Sequence, residues 1–397
     1  MTGSTVLIIA GEKSGDNYGA ALVRRFRDLA PSTSFFGVGG SALAAEGVER
    51  LFPLEDLALM GLLEVVRHLP RLRRMFNRLE DAVRTRKPRA AVLIDSPDFN
   101  LRLAKRLHKL GVPVLYYISP TVWAWRPGRL KTIAKFVDKM LLIFPFEKAI
   151  YEKAGLPARF VGHPLIERVR VGNGREAFCR AWGLDPERPI IALMPGSRRG
   201  EVANHMPVLM AAVPRIRTVP ESQFILIKAE DLDGSFLQGF IPKDGAAIKI
   251  LDRDSYDAMA AADLVLSACG TANLEAAILG TPAIAFYRMA PLTYWLGRNL
   301  VKIRVFSIVN ILAGEKLVPE LIQKEFNADR LAQEAGRLMS SPDDRSRLRR
   351  RFVEIKDGLG SEPASINAAQ ELYALLTGAR RSGPSEGIPS SARPKRR

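Results

Sequence analysis

Short apolar segments alternate with helical stretches along the chain, and this alternation restricts the fold more than any other feature. The predicted strands of the first half are Thr5–Ala10, Ser34–Val38, Ala91–Ile94, Val114–Ile118, Lys139–Ile143 and Arg159–Val161. After Pro164 the pattern restarts, with predicted strands Ile190–Met194, Gln223–Lys228, Ala247–Ile250, Leu264–Ser267 and Ala283–Tyr287. Continuous apolar strands between helices are typical of parallel sheets covered on both faces. The sequence therefore predicts an α/β protein with two doubly wound domains.

Length and C-terminal composition predict the domain boundaries. At 397 residues the chain is too long for one simple core. We predict an N-terminal Rossmann-like domain over residues 1–165, a second Rossmann-like domain over 166–345, C-terminal helices over 346–377 and a disordered basic tail over 378–397. Ligands of such sheets bind at the carboxyl ends of strands, so a cleft between facing domains is the expected site.

The composition argues against several classes of protein. Hydrophobic residues make up 47% and charged residues 25% of the chain, as in globular proteins. Its apolar runs are far shorter than the roughly 20 residues that span a bilayer, and no signal peptide is evident, so a cytoplasmic location is expected. Cys179, Cys269 and four scattered histidines predict neither a disulfide framework nor a metal site. The D-x-D triplets at 231–233 and 252–254 are interpreted as turn residues.

The net charge of +17 predicts an anionic partner. The tail from Gly378 holds six basic residues and one acidic residue, so the rest of the chain still carries about +12. Phosphorylated substrates, an anionic membrane surface and nucleic acid all fit this charge. The basic residues form scattered clusters rather than one stripe interleaved with aromatic residues, so nucleic acid is not an expected partner.

Residues 58–87 form a basic amphipathic segment. Apolar residues recur there at helical spacing, and other faces of the helix carry Arg67, Arg71, Arg73, Arg74 and Arg78. Such a helix is suited to lie against anionic lipid, and the basic, aromatic segment 287–306 is a second candidate. Packing of the apolar stripe on the sheet explains the periodicity equally well.

The segment Val265–Pro282 combines an apolar strand, a turn and a helix start. Free N–H groups and the positive end of the helix dipole attract anions, so Gly270 and Thr271 are candidates for binding phosphate. Glu275, one turn further along, is placed to accept hydrogen bonds from a diol such as ribose. The segment therefore suits a nucleotide diphosphate, and the alternative is an ordinary strand–turn–helix unit.

Two strand ends of the first half carry acidic residues. The run A-G-E-K-S-G-D at residues 10–16 has glycines that let a ligand approach the backbone, whereas a helix cap by Ser14 or Asp16 is the alternative. The run D-S-P-D-F-N at residues 95–100 offers Asp98 as a general base or as the N-cap of the next helix.

Arginine, tryptophan and histidine mark three other strand ends. The run M-P-G-S-R-R at residues 194–199 directs Arg198 toward a diphosphate, and a solvated arginine pair is the alternative. The run S-P-T-V-W-A-W-R at residues 119–126 has two tryptophans that either cover a sugar or acyl chain or pack in the core. His163 is interpreted as a hinge histidine with a satisfied hydrogen bond, with ligand contact as the alternative.

Together these runs resemble the lipid-A-disaccharide synthase family of inverting glycosyltransferases. The runs are A-G-E-K-S-G-D at 10–16, D-S-P-D-F-N at 95–100, S-P-T-V-W-A-W-R at 119–126, G-H-P-L at 162–165, P-G-S-R at 195–198, G-T-A-N-L-E at 270–275 and V-N-I-L-A-G-E at 309–315. They span most of residues 5–325, which is more specific than any single run. The sequence departs from the family pattern at Cys269, where a small hydroxyl residue or glycine is expected, and at Val309, where proline is usual.

The resemblance implies the GT-B architecture, in which two doubly wound Rossmann-like domains face each other across a cleft, followed by C-terminal helices. It implies that UDP-2,3-diacylglucosamine is joined to 2,3-diacylglucosamine-1-phosphate (lipid X), giving the β-1,6-linked disaccharide 1-phosphate and UDP. No metal or other cofactor is expected. The implied partners are these two substrates and an anionic membrane surface, at the cytoplasmic face of the inner membrane, and a homodimer is compatible with the resemblance.

The resemblance also implies roles for particular residues. The UDP-binding residues of the second domain would be Arg198, Gly270, Thr271, Glu275 and Asn310. The first domain would hold the lipid acceptor near the loop that contains Ser14 and Gly15, with Asp98 or Glu12 as the catalytic base.

Two other interpretations compete with this one. Another GT-B enzyme acting on a UDP-sugar, such as a UDP-N-acetylglucosamine 2-epimerase, would need neither a second substrate nor a lipid-facing patch. A non-catalytic membrane- or nucleic-acid-binding protein would have no need for several polar loops at strand ends.

Overall fold

A computed structural model describes residues 3–54, 56, 65–124, 127–216, 221–242, 248–289 and 305–378. Its strands are β1 (Thr5–Ala10), β2 (Ser34–Gly39), β3 (Glu49–Pro53), β4 (Ala90–Ile94), β5 (Val114–Tyr117), β6 (Lys139–Leu142), β7 (Ala158–Phe160), β8 (Ile190–Met194), β9 (Gln223–Ile227), β10 (Ile248–Leu251), β11 (Leu264–Ala268), β12 (Ala283–Tyr287) and β13 (Glu320–Ile322). Each predicted strand is confirmed, and its ends shift by no more than one residue.

Helices connect most of these strands. They are α1 (Lys13–Leu29), α2 (Ser41–Ala45), α3 (Val65–Arg86), α4 (Pro97–Lys109), α5 (Arg129–Phe136), α6 (Lys148–Lys153), α7 (Leu165–Arg168), α8 (Arg175–Trp182), α9 (Arg199–Ile216), α10 (Gly234–Gln238), α11 (Ser255–Ala261), α12 (Thr271–Leu279), α13 (Ile308–Ala313), α14 (Ala328–Ser340), α15 (Pro342–Gly358) and α16 (Ala364–Thr377). Residues 145–147 form a short 3₁₀ turn before α6.

The described strands form two parallel sheets. In the first the order is β3-β2-β1-β4-β5-β6-β7, and in the second it is β10-β9-β8-β11-β12-β13. The central pairs are β1 with β4 and β8 with β11, and both pairs run parallel. β1, β4, β8 and β11 are almost wholly buried. This explains their continuous apolar sequences, because a strand covered by helices on both faces has no solvent-facing side.

Two strands were missed by the sequence analysis. β3 and β13 lie at sheet edges and carry charged residues such as Glu49 and Glu320. An edge strand is only partly covered, so it lacks the continuous apolar run by which the central strands were recognised.

The chain divides into two compact units. One comprises the described residues up to 117, residues 136–138 and the described residues from 365 onward, and the other comprises the described residues of 118–135 and 139–364. α16 belongs to the first unit, where the Tyr373 ring lies 6.4 Å from that of Phe26 and Arg89 donates a hydrogen bond to the Leu376 carbonyl (3.0 Å). The predicted domain boundaries, the cleft between domains and the C-terminal tail stay predictions, and residues 379–397 lie outside the described residues.

The apolar stripe of α3 packs into the core. Leu72, Met75, Phe76, Leu79 and Val83 are each less than a tenth exposed. The stripe therefore packs as the structural alternative predicts. On the other faces Arg73 and Arg74 are exposed, whereas Arg71 pairs with Asp56 and Arg78 lies over the Phe52 ring. Most of the predicted apolar patch at 57–66 and residues 290–304 of the second basic segment lie outside the described residues. None of the helices within the described residues is long and apolar enough to cross a bilayer.

Candidate functional site

The two sheets have the same strand order around their centres. The chain leaves β1 and β4 in opposite directions across the first sheet, and it leaves β8 and β11 in the same way in the second. Such topological switch points are where parallel α/β sheets bind ligands, at the carboxyl ends of the strands. Four of the motifs found in the sequence follow these four strands.

The second switch point contains a cavity of about 490 Å³. Its lining includes Arg168, Gly196, Ser197, Arg198, Lys228, Arg253, Tyr256, Gly270, Thr271 and Glu275. Four of the five residues predicted to bind UDP therefore lie around one cavity. α12 begins there, and Gly270 at its N-cap provides no side-chain cap, so the first amides point toward open space. The lining carries four basic and four acidic side chains, so the uncapped N–H groups of α12 and the exposed Arg198, rather than net charge, make this cavity suited to a diphosphate.

Arg198 projects from a loop whose shape depends on a glycine. Gly196 has φ +122°, and a Cβ there would lie 2.9 Å from Oε2 of Glu201, so no other residue fits without strain. Glu201 contacts Nη1 of Arg198 at 3.4 Å and accepts a hydrogen bond from the Tyr287 hydroxyl at 3.1 Å. Burial and the charge of Glu201 raise the pKa of Tyr287 to about 12, so its hydroxyl stays a donor. The Arg198 side chain is 75% exposed and free to reach a ligand.

His205 holds the same loop in place through hydrogen bonds of its ring. Its Nδ1 lies 2.6 Å from the Pro195 carbonyl, and its Nε2 accepts a hydrogen bond from the amide of Arg288 (2.9 Å). Nδ1 is therefore the protonated nitrogen of a neutral ring. Burial lowers the pKa of His205, which favours this neutral form. Neither Glu201 nor His205 was identified from the sequence, because nothing local distinguishes them from other polar residues of a surface helix.

Glu275 provides the carboxylate of this cavity. It accepts a hydrogen bond from the Tyr256 hydroxyl at 3.3 Å. Burial raises its pKa, while the charge of Arg168 and the hydrogen bond from Tyr256 act in the opposite direction. A half-buried carboxylate with remaining acceptor capacity is suited to bind the hydroxyl groups of a ribose.

Asn310 lies elsewhere. It is 1% exposed and does not line the cavity. Its Nδ2 donates to the Val318 carbonyl (2.9 Å) and to Oε1 of Glu320 (2.8 Å), and its Oδ1 accepts from the Val318 amide (2.8 Å). Asn310 thus connects α13 to the start of β13, and its interpretation as a UDP contact stays a prediction.

The first switch point is acidic. Burial, together with the negative charge of Glu12, raises the pKa of Asp95 to about 6. Asp95 and Ser96 both adopt the left-handed backbone region, with φ of 49° and 42°. Two consecutive non-glycine residues in this region are strained, and such strain concentrates at functional sites. Asp98 lies three residues further along as an exposed residue of the first turn of α4.

Two side chains clamp the strained turn. The Asp95 carbonyl accepts hydrogen bonds from the Tyr116 hydroxyl (2.6 Å) and from Nδ2 of Asn100 (2.8 Å). The sequence does not single out Asp95, and the prediction that Asp98 or Glu12 is the base stays a prediction. The prediction that Asp98 caps the helix is wrong, because the helix begins at Pro97 with Ser96 as its N-cap.

The loop after β1 has mainly structural contacts. Asp16 is buried and accepts hydrogen bonds from the amides of Gly40 (2.7 Å) and Ala42 (2.9 Å), so it caps α2 rather than its own helix. A Cβ at Gly15 would lie 3.4 Å from Cγ2 of Ile94, so this glycine lets α1 pack closely on β4. Ser14 is half-buried, and Glu12 is exposed at the N-cap of α1.

The tryptophan-containing loop surrounds a buried carboxyl group. Glu147 accepts hydrogen bonds from Nε1 of Trp123 (3.2 Å) and from the Phe144 amide (3.3 Å), and burial raises its pKa to about 7. The hydroxyls of Ser119 and Tyr151 lie 2.7 Å apart beside it. These contacts hold Trp123 half-buried, and residues 125–126 lie outside the described residues.

His163 is a buried structural histidine, as its default interpretation predicts. Burial lowers its pKa to about 3, and its Nδ1 accepts a hydrogen bond from the Leu165 amide at 3.1 Å. Asp233 caps α10 by accepting from the Ser235 amide at 3.0 Å, which agrees with the interpretation of its triplet as a turn. Among the residues described, no three His, Cys, Asp or Glu side chains cluster as metal ligands would.

Comparison with solved structures defines the class of fold. The chain aligns with Staphylococcus aureus MnaA in its co-structure with UDP at a TM-score of 0.67 and 13% identity, covering 97% of this chain and 100% of that one. It aligns with the glycotransferase of kitacinnamycin at a TM-score of 0.64 and 14% identity, covering 94% of this chain and 99% of that one. Together with the two parallel sheets, these similarities define a GT-B fold.

Sequence comparison then gives the family. The model of the lipid-A-disaccharide synthetase family matches residues 6–374. The lipid-A-disaccharide synthase of Geobacter sulfurreducens is 42% identical over 376 residues, which cover 94% of this chain and 98% of that protein. The chain therefore belongs to the lipid-A-disaccharide synthase family. It is a glycosyltransferase of lipid A biosynthesis, as the resemblance of its motifs predicts.

Proposed function

We propose that this enzyme transfers the 2,3-diacylglucosamine of a UDP-linked donor to the 6-hydroxyl of lipid X, with inversion and without a metal ion. The products would be the β-1,6-linked disaccharide 1-phosphate and UDP. The observation that supports this proposal is that one switch point offers uncapped helix N–H groups beside Arg198 and the other a buried carboxyl group, because a glycosyl transfer needs a site for an anionic leaving group and a base for the incoming hydroxyl.

The cavity beside α12 would hold the UDP portion of the donor. The amides at Gly270 and Thr271 and the guanidinium of Arg198 would bind the diphosphate, and Glu275 would accept hydrogen bonds from the ribose. As the glycosidic bond breaks, negative charge develops on the diphosphate. Fixed N–H donors and an arginine directed at that charge stabilise the transition state more than the ground state.

The carboxylates of the first switch point would take the proton of the acceptor. Asp95 is better suited to this step than Asp98, because a base works best with a pKa near the working pH, and that of Asp95 is about 6. Glu12 would act mainly by keeping the pKa of Asp95 raised. Ser14 and Gly15 would contribute the adjoining loop near which the acceptor binds. Inversion requires a single displacement, so one base is sufficient.

The acylated substrates suggest where the enzyme acts. We place it at the cytoplasmic face of the inner membrane as a peripheral protein, because both proposed substrates carry acyl chains and the chain has a net charge of +17 that favours an anionic surface. A homodimer is also compatible with this placement.

An assay of UDP release tests the reaction. Purified enzyme is given UDP-2,3-diacylglucosamine in detergent, with and without lipid X, with and without EDTA, and the product is identified by mass spectrometry. We expect UDP release that depends on lipid X, persists in EDTA and yields a disaccharide 1-phosphate. Turnover of unacylated UDP-N-acetylglucosamine without an acceptor would instead identify an epimerase-like activity, and loss of turnover in EDTA would contradict metal independence.

A further inference from the structure

A second cavity, of about 650 Å³, lies between α3 and α4 in the first unit. Its basic lining residues are Arg73, Arg84, Arg102, Lys105, Arg106 and Lys109. Glu80 is the acidic residue of the lining, and Leu72, Phe76 and Leu110 form its apolar base. We call this cavity the α3–α4 groove. It has no part in the proposed reaction, and two of the seven arginines of α3, Arg73 and Arg84, line it.

Most of the charge in the α3–α4 groove is not neutralised from within the described chain. Glu80 pairs with Arg106, whose guanidinium also lies 4.6 Å from the centre of the Phe76 ring. The other five basic residues are exposed, and within the described residues none of them has an acidic partner. Folding therefore brings five exposed positive charges together beside one cavity, which makes this surface attractive to an anion.

The spacing of the basic residues places those of each helix on one helix face. Arg102, Lys105 and Lys109 are spaced three and four residues apart, which places them on one face of α4. Arg73 and Arg84 are eleven residues apart on α3, about three full turns, so they also share a face. Two parallel rows of cations with an apolar base between them suit a phosphate attached to a small uncharged group.

We propose that the α3–α4 groove binds the headgroup of an acidic phospholipid while its acyl chains stay in the bilayer. The choice of a lipid rests on the proposed function, in which the enzyme works on acylated substrates. Nucleic acid fits less well, because Phe76 is only 4% exposed and its ring stacks on Phe99 at 4.7 Å, so no aromatic face in the groove is open to a base.

Vesicle binding by the full chain tests this proposal. The groove variant is R102E/K105E, and the matched control is R25E/R50E, which changes the same charge at exposed sites of the first unit outside the groove. Each protein is titrated with vesicles of phosphatidylcholine alone or with a quarter phosphatidylglycerol. We expect the groove variant to lose at least about tenfold in affinity for the anionic vesicles, and the control less than about threefold.

Two further measurements separate the possible causes. Turnover in detergent should be within about twofold of the wild type for both variants, because neither pair belongs to the reaction site; a variant that lacks turnover while the wild type retains it is misfolded, and R102Q/K105Q then replaces it. Failure of the wild type to form the disaccharide contradicts the proposed function alone, because vesicle binding is read separately.

Several outcomes would overturn the lipid proposal. Equal losses in the groove and control variants would show a general charge effect. Displacement of the protein from vesicles by millimolar glycerol 1-phosphate, lost in the groove variant, would identify a soluble phosphate ester as the ligand. Tighter binding of single-stranded DNA than of anionic vesicles, abolished by R102E/K105E, would assign the groove to nucleic acid.

Discussion

The two switch points have the same framework and different chemistry. After β4, Nδ2 of Asn100 donates to the Ile94 carbonyl at 3.0 Å, and after β11, Nδ2 of Asn273 donates to the Ala268 carbonyl at 3.3 Å. Each buried asparagine thus ties the first turn of a helix to the end of the preceding strand. Around this shared framework the first site holds Asp95 and Glu12, whereas the second combines the uncapped amides of α12 with Arg198 and the carboxylate of Glu275. The chemical difference between the proposed base and the anion site therefore depends on the loops. The sheets determine only where these loops lie.

The largest effect is expected at the acidic site. Asp95→Asn keeps the shape of the side chain but removes its ability to accept a proton, so kcat should fall by about 10²–10⁴-fold. Steady-state assays of UDP release measure this, and circular dichroism checks folding. Asp98→Asn is the matched control, because it makes the same change three residues away on an exposed turn. A larger loss in Asp98→Asn than in Asp95→Asn would make Asp98 the base.

The next effect is expected at the anion site. Arg198→Ala removes one charged donor from the diphosphate, and the Kd for UDP measured by calorimetry should rise about tenfold, or ~1.4 kcal/mol. Arg199→Ala is the control, because the Arg199 guanidinium lies over the Phe236 ring at 4.2 Å and does not line the cavity. An equal rise of the Kd for UDP in both variants would show that Arg198 acts only through its general positive charge.

A shift in pH dependence tests the coupling within the acidic site. A base must be deprotonated, so kcat/KM should rise with pH and reach half its plateau near the Asp95 pKa of about 6. Glu12→Gln removes a negative neighbour, which should move this midpoint to lower pH, although burial still holds it above the ordinary value. An unchanged midpoint in Glu12→Gln, or a midpoint that moves upward, would contradict the pairing of Glu12 with Asp95.

The smallest effect is expected in the loop that carries Arg198. Gly196→Ala forces a side chain into a φ of +122° and toward Glu201, so the free energy of unfolding should fall by about 1–3 kcal/mol. Gly200→Ala is the control, since its Cβ would meet open space in α9 and alanine favours a helix. Urea unfolding of both variants measures the difference, and equal stability would show that the loop tolerates a Cβ at residue 196.

The sequence predicted those parts of the fold that depend on local pattern. Buried strands such as β4 and β11 are continuous apolar runs, and the glycine-rich start of α12 is visible as a motif. β13 is short and charged, and the packing of α16 against the first unit depends on contacts between Tyr373 and Phe26, so neither can be found from local pattern.

The same limit explains the contacts of candidate site residues that the sequence does not predict. Asp16 caps α2, which begins 25 residues further along the chain, and Asn310 bonds to residues near β13, so their roles depend on distant backbone groups. Asp95 differs from Asp98 mainly by its burial, its strained φ and the proximity of Glu12, which are all properties of the folded chain. Arg198, Gly270, Thr271 and Glu275 were identifiable because strand-end position is itself a sequence property.

The separation of the base from the anion site can be tested by comparing UDP affinity with turnover in the same variants. UDP is titrated calorimetrically into the wild type, Asp95→Asn and Arg198→Ala, and turnover is measured on the same samples. We expect Asp95→Asn to bind UDP as tightly as the wild type but to lose turnover. Arg198→Ala should instead lose affinity for UDP. If Asp95→Asn lost UDP affinity as much as Arg198→Ala does, the acidic residues would belong to the donor site and the proposed division would be wrong.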